Sequence, residues 1–246
     1  MRQHLLRLVL LLTIVGGCDT ADEPPSTDQK GFATHTYRDS RGSESKYVVF
    51  VPASYDPQAA CPTILFLHGA GQTGNDGEAQ AQGGLGDAIR SREQTFPFLT
   101  IFPQSHERSW LADSADGKRA ITILEKVQQL YNVDQHRTYL TGYSMGGEGT
   151  WSLAAARPDL FAAIIPICPG SNIAAVPSLK DMPCWCFQGD ADAPATLAST
   201  RRMVLAIKAA GGKPIYQEYP GVAHNCWDLT YRNDDIYEWL LLHRTP

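Results

Sequence analysis

Charge is scarce in this sequence. Asp, Glu, Lys and Arg make up 19% of the 246 residues, against 43% hydrophobic, and the balance is a net −5 at pH 7. No long basic run occurs, so the electrostatic footprint of a nucleic-acid-binding face is missing. Beyond the N-terminus, no segment supplies the roughly 20 apolar residues that a bilayer-spanning helix requires. No period of about 20–50 residues recurs, which argues against solenoids and propellers. The pair in "CWC" (Cys184 to Cys186) lacks the two-to-four-residue spacing of zinc ligands, so no metal is expected. What remains is a globular composition with enough length for one large domain.

The first residues, "MRQHLLRLVLLLTIVGGC", carry Arg2 and Arg7, then an apolar run from Leu8 to Val15, then small residues. This reads as an export signal. Its end, Val15-Gly16-Gly17-Cys18, resembles the lipobox of bacterial lipoproteins, which implies lipidation of Cys18 and a soluble domain anchored at the cell envelope. Plain cleavage, leaving a periplasmic or secreted protein, is the alternative. The stretch Asp19 to Lys30 is polar and proline-containing and cannot pack a core. The expected organisation is a signal peptide over 1–17, a flexible tether over 18–30 and a folded domain over 31–246. A lipidated Cys18 would leave five cysteines, an odd number that cannot all pair within one chain. Cys184 and Cys186 share one side of a strand, from which one could reach Cys226.

Short apolar runs alternate with amphipathic segments. "YVVFV" (47–51), "TILFL" (63–67), "FLTIF" (98–102), "RTYLT" (137–141), "AAIIPI" (162–167), "CWCF" (184–187) and "IYQEY" (215–219) read as strands. Several are apolar at consecutive positions, as expected where both sheet faces are covered. Ala120, Ile123, Leu124, Val127, Leu130 and Tyr131 form a helical stripe. A second helix runs from Thr196 to a stop at Gly211 and Gly212, and "DDIYEWLLLHR" closes the chain as another. Such alternation predicts an α/β fold, with a mostly parallel sheet, helices on both faces, and functional loops at the carboxyl ends of the strands.

"TGYSMGGEGTW" (141–151) places Ser144 between a strand and a helix-like stretch that ends before Pro158. Gly142 and Gly146 supply the small neighbours that a tight turn demands, and the helix start behind the serine offers unpaired N–H groups. This is the logic of a nucleophile elbow. A serine needs a base, and the base needs an orienting acid. His224 in "EYPGVAHNCWD" is the base candidate. Asp192 and Asp190 in "FQGDADAP" are both candidates for the acid, with Asp228 a more remote one. Oxyanion donors are expected from the N–H of Met145 and from the loop "FLHGAG", at Ala70 or at Gly71. His68 in that loop reads as a structural histidine.

From about Tyr47 onward the chain resembles an α/β-hydrolase. It is most similar to the compact esterase group of phospholipase/carboxylesterases, polyhydroxybutyrate-depolymerase-like esterases and so-called predicted peptidases. The matching stretches are "YVVFVPASYDP", "PTILFLHGAGQTG", "VDQHRTYLTGYSMGGEGTW", "RPDLFAAIIPICPG", "FQGDADAP" and "YPGVAHNCWD". The resemblance implies an α/β-hydrolase fold, the second aspartate of the loop (Asp192) as the acid, and Ala70 as the second oxyanion donor. It departs after Asp192, where "APAT" stands in place of the relatives' P-x-V-P. No cap domain fits between Ile167 and Pro183, so an open site is expected, suited to a small-molecule or polymer-linked ester. Trp110 and Trp227 are the candidate stacking residues for a sugar or an aromatic acyl group. The implied activity is a serine carboxylic-ester hydrolase, with acetyl or feruloyl groups on carbohydrate as the first substrates and no cofactor. A serine peptidase of the same fold and an inactive binding module are the alternatives.

Overall fold

The computed structural model describes residues 29–246. The expected signal peptide, Cys18 and the expected tether up to residue 28 lie outside the described residues. Eight strands form one sheet: β1 (Gly31–Arg38), β2 (Glu44–Val51), β3 (Cys61–Leu67), β4 (Leu99–Pro103), β5 (Val133–Tyr143), β6 (Ala163–Ile167), β7 (Trp185–Gly189) and β8 (Ile215–Tyr219). Their spatial order is β1-β2-β4-β3-β5-β6-β7-β8. The pairings β1–β2 and β2–β4 are antiparallel, and all others are parallel. The helices are α1 (Gly84–Arg90), α2 (Ala115–Leu130), α3 (Met145–Ala156), α4 (Val176–Leu179), α5 (Pro194–Ala209), α6 (Trp227–Arg232) and α7 (Asp235–Leu241).

The consecutive apolar runs are explained by two cores, one on each face of the sheet. Leu65, Leu67, Ile101, Leu140 and Ile164 point to one side and pack with Leu124 and Val127 of α2, Trp151 of α3, and Val204 and Ile207 of α5. Their sequence neighbours Ile64, Phe66, Phe102, Tyr139 and Ile165 point to the other, against Leu85 and Ile89 of α1, Tyr231 of α6, and Ile236 and Leu240 of α7. Each fully buried side chain of this size contributes about 1.5–3 kcal/mol of transfer free energy. Strand alternation thus requires an apolar residue at nearly every position of the central strands.

Between β6 and β7 the chain makes a short 3-10 turn (Ile173–Ala175) and the four-residue α4, and no cap domain stands there. The described cysteines, Cys61, Cys168, Cys184, Cys186 and Cys226, are all buried free thiols. The reach from "CWC" to Cys226 does not become a bridge. The thiol that interacts with Cys226 is instead that of Cys168, just past β6.

Candidate active site

The carboxyl ends of the parallel strands build the site. β3 and β5 are adjacent and parallel, with Leu67 opposite Gly142. Three residues beyond each of these stand Ala70 and Met145. Ala70 opens a 3-10 turn (Ala70–Gln72), and Met145 opens α3. Both N–H groups lie in first turns, so neither has an acceptor within its own helix. The match in register brings two free donors to the same end of neighbouring strands.

Ser144 joins β5 to α3 with φ 56° and ψ −119°. Positive φ in a residue bearing a Cβ is strained, by about 1–3 kcal/mol. The turn is held by the Ser144 N–H donating to Ile167 O at 2.9 Å. Glycine is required on its far side. A Cβ on Gly146 would stand 1.9 Å from Leu67 O, so α3 reaches this close to β3 because the position has no side chain.

His224 stands in the loop after β8. Its Nε2 is 2.9 Å from Ser144 Oγ, and its Nδ1 is 2.7 Å from Asp192 Oδ2. A carboxylate only accepts, so Nδ1 carries the hydrogen and Nε2 is left to accept from the serine hydroxyl. Asp192 is 9% exposed. Burial works to raise its pKa. Hydrogen bonds from His224, the Ala193 N–H (2.6 Å) and Gln188 Nε2 (2.7 Å) outweigh that and hold the carboxyl below its ordinary value. Asp190 has a different task. Its Oδ1 accepts from the Gly221 N–H at 2.6 Å and ties the acid loop to the histidine loop. The Ala191 N–H donates to Val222 O at 3.0 Å, a second tie between the same loops. Asp228 lies in the first turn of α6. Of the three aspartates, Asp192 is the one hydrogen-bonded to His224.

Trp227 meets the His224 ring edge to face at 5.7 Å and stacks on Tyr143 at 4.4 Å. It is half-buried, so part of the indole is exposed beside His224. Trp110 is a correction to the sequence expectation. It is 1% exposed, and its Nε1 donates to His68 O at 2.9 Å. It supports the loop after β3 and offers no face to a ligand. His68 is neutral and fully engaged. It accepts from the Ser105 N–H at 2.9 Å through Nε2, and its Nδ1 lies 2.6 Å from Gly69 O. Burial lowers its pKa to about 4.

Three residues absent from the sequence argument belong to the site's frame. Tyr143, one residue before Ser144, receives Gln72 Nε2 on its hydroxyl, and burial pushes its pKa up to about 12. Gln188 lies behind Asp192. Asp116, at the start of α2, is 0% exposed and clamps the loop that carries Trp110. It accepts from Ser105 Oγ, from the His106 N–H at 3.0 Å and from the Glu107 N–H at 2.8 Å, and it pairs with Arg119. A charged pair at helix spacing was visible in sequence; its role in shaping the loop was not.

Asp116→Ala is expected to cost about 3–5 kcal/mol, because it leaves buried donors and a mostly buried Arg119 unpaired. Burial raises the Asp116 pKa, but the hydrogen bonds from Ser105, His106 and Glu107 and the charge of Arg119 lower it further, with a net depression. A depressed carboxyl stabilises the fold above its unfolded-state pKa, about 3.9, and that contribution is lost as pH falls through the folded value. Thermal melts from neutral to acid pH should therefore show the gap between wild type and Asp116→Ala narrowing below about pH 4.

The fold and the serine–histidine–carboxylate chain on its loops are those of an α/β-hydrolase. Within that class, the family model "Putative esterase" matches residues 39–185, and the chain belongs to this esterase family. It is 26% identical over 140 residues to the bifunctional acetylxylan esterase/xylanase of Neocallimastix patriciarum, covering 56% of this chain and 20% of that protein. It is 28% identical to feruloyl esterase C of Emericella nidulans, covering 68% of this chain and 66% of the relative. Among solved structures, a thermostable esterase superposes with a TM-score of 0.80 at 34% identity, over 87% of this chain and 63% of that one. The chain thus spans from a fifth to about two thirds of the length of these curated relatives.

Proposed function

We propose that the protein is a serine carboxylic-ester hydrolase that works through an acyl-enzyme. The observation that carries this reading is the hydrogen-bond chain from Ser144 Oγ to His224 (2.9 Å) and from His224 to Asp192 (2.7 Å). Ser144 Oγ attacks the ester carbonyl carbon while its proton passes to His224 Nε2. Asp192 stabilises the imidazolium and keeps the ring oriented. The carbonyl oxygen, now negative, takes the N–H groups of Met145 and Ala70, each such donor contributing about 100- to 1000-fold in rate. The imidazolium then protonates the departing alcohol. In the second half, His224 takes a proton from water, the hydroxide attacks the acyl carbon, and the acid leaves as Ser144 recovers its proton.

The substrate class we infer is an acetyl or feruloyl ester on carbohydrate. The names of the two curated relatives support it. So does the half-buried Trp227 beside the base, backed by the buried Tyr143 on which it stacks, which offers an aromatic face. The N-terminal sequence supports export, with Cys18 as a lipid attachment point ahead of a domain beginning near Gly31.

Hydrolysis of aryl acetate, butyrate, octanoate and ferulate by the wild type and by Ser144→Ala tests the reading. Turnover of acetate and ferulate that vanishes in the variant is expected. Absence of Ser144-dependent turnover on all four would sink it. Trp227→Ala should raise KM for the ferulate ester by about tenfold, as loss of one aromatic stacking partner implies. The same variant should change KM for acetate little.

A further inference from the structure

Gln188 is the fourth residue of β7 and is 0% exposed. Its Nε2 donates to Asp192 Oδ2 at 2.7 Å, the same oxygen that receives His224 Nδ1 at 2.7 Å. A longer contact runs from Nε2 to Gly189 O at 3.3 Å. On its other side, Gln188 Oε1 lies 2.9 Å from Thr200 Oγ1 of α5, and that hydroxyl also reaches Pro169 O at 2.7 Å. Thr200 is likewise 0% exposed. Carboxylates accept and do not donate, so the amide must turn its NH2 toward Asp192 and its oxygen toward the threonine hydroxyl. The single Thr200 hydrogen is shared between Pro169 O and Gln188 Oε1, so the Asp192 carboxylate sets the orientation of the amide and Thr200 braces its far end.

We propose that Gln188, braced by Thr200, is a positioning residue that fixes the plane of the Asp192 carboxylate and shares its charge with His224. This rests on reading Ser144 as the nucleophile. The physical argument concerns how donors are divided between the two oxygens. Oδ1 is held by the Ala193 N–H, and Oδ2 by two donors, so the carboxylate cannot rotate without abandoning a hydrogen bond in a nearly dry site. Losing a hydrogen-bond partner there is costly. Without the amide, Oδ2 faces the imidazole alone. Its undivided negative charge then favours the protonated ring, and the side chain is free to swing toward the exposed edge. The other titratable groups here are the thiols of Cys168 and Cys226. Burial and the contact with Cys226 push the Cys168 thiol well above its ordinary range, so it remains neutral.

The test measures how fast a fluorophosphonate labels Ser144 as a function of pH. The serine oxygen bonds to phosphorus, fluoride departs, and the hydroxyl proton goes to His224, so the rate reads the proton relay with no ester substrate involved. Gln188→Met keeps the length and removes the donor. It should label about 10- to 100-fold more slowly, the range for a hydrogen bond to a charged group. The acid limb of its rate, which follows protonation of the imidazole, should move to higher pH. Thr200→Val keeps Gln188 and removes the hydroxyl that braces it; a slowing of about 2- to 10-fold with the same direction of shift is expected. Should Gln188→Met fail to fold, Thr200→Val decides alone. Labelling as fast as wild type, or slower labelling with an unmoved acid limb, overturns the inference, because mere loosening of the fold would not move that limb. A wild-type chain that takes no label overturns the nucleophile reading itself, and the role of Gln188 with it.

Discussion

Ser144→Ala is expected to lower kcat for ester hydrolysis by about 10⁴- to 10⁶-fold, the range seen when a nucleophile is removed from a triad. The substitution leaves the Met145 and Ala70 N–H groups and the Trp227 face in place, so KM should hold while kcat collapses. Stability should not change, because alanine also carries a Cβ and inherits the same backbone strain at φ 56°. Ser144→Gly separates the two effects. It removes the nucleophile equally, but glycine takes this backbone conformation without the steric penalty. Strain relief of about 1–3 kcal/mol is partly offset by the greater chain entropy glycine loses on folding, roughly 0.5–1 kcal/mol. The glycine variant should therefore be inactive and melt higher than wild type, while the alanine variant is inactive and melts with it. Paired kcat and thermal-melt measurements on both variants check this. Equal melting of all three proteins would mean that the elbow stores no strain.

The elbow was legible because local sequence dictates it. A strand, a serine between glycines and a helix start are contiguous in the chain, and the sterics at Gly146 make the spacing a requirement. The parallel strands were legible for a related reason: "TILFL" has an apolar residue facing each of two cores. β1 was missed because it is an edge strand. Its sequence, "GFATHTYR", is mixed, most of its side chains are only half-buried, and its order comes from antiparallel pairing with β2. α1, with "GLGDAIR", is short and glycine-containing, and it forms by packing Leu85 and Ile89 under the sheet. Trp110 was placed in a substrate wall because it lies in a loop on the active face, and sequence does not say that the loop folds back beneath His68. Gln188 and Thr200 were silent for the deepest reason. A polar residue at the end of an apolar strand carries no mark of its partner, and the distance of 2.9 Å between these two exists only once α5 has packed on the sheet.

The acid is where local sequence left a choice, and there the structure permits a sharp contrast. Asp192→Asn is expected to lower kcat by about 10⁴-fold near neutral pH, as replacing a triad acid by its amide does when it imposes the wrong tautomer. An asparagine amide that turns its NH2 toward His224 Nδ1 forces the ring hydrogen onto Nε2. The ring then donates toward Ser144 and cannot accept the hydroxyl proton. The Ala193 N–H, which at 2.6 Å needs an oxygen at the other position, holds the amide in this orientation even though the Gln188 NH2 already faces the same place at 2.7 Å. Two donors would oppose one another there, so the variant should also lose stability. Asp190→Asn is the control. Its Oδ1 accepts one N–H from Gly221, a bond that an amide oxygen still makes, so activity should stay near wild type. The wild-type carboxylate of Asp192 has its pKa held below the ordinary value of 3.8, and its stabilising contribution persists above that pH and is lost as pH falls through the depressed value. Asp192 therefore stays ionised in mildly acid solution. Rates of both asparagine variants across pH test the assignment: a large loss in Asp190→Asn with little loss in Asp192→Asn would move the acid two residues back along the loop.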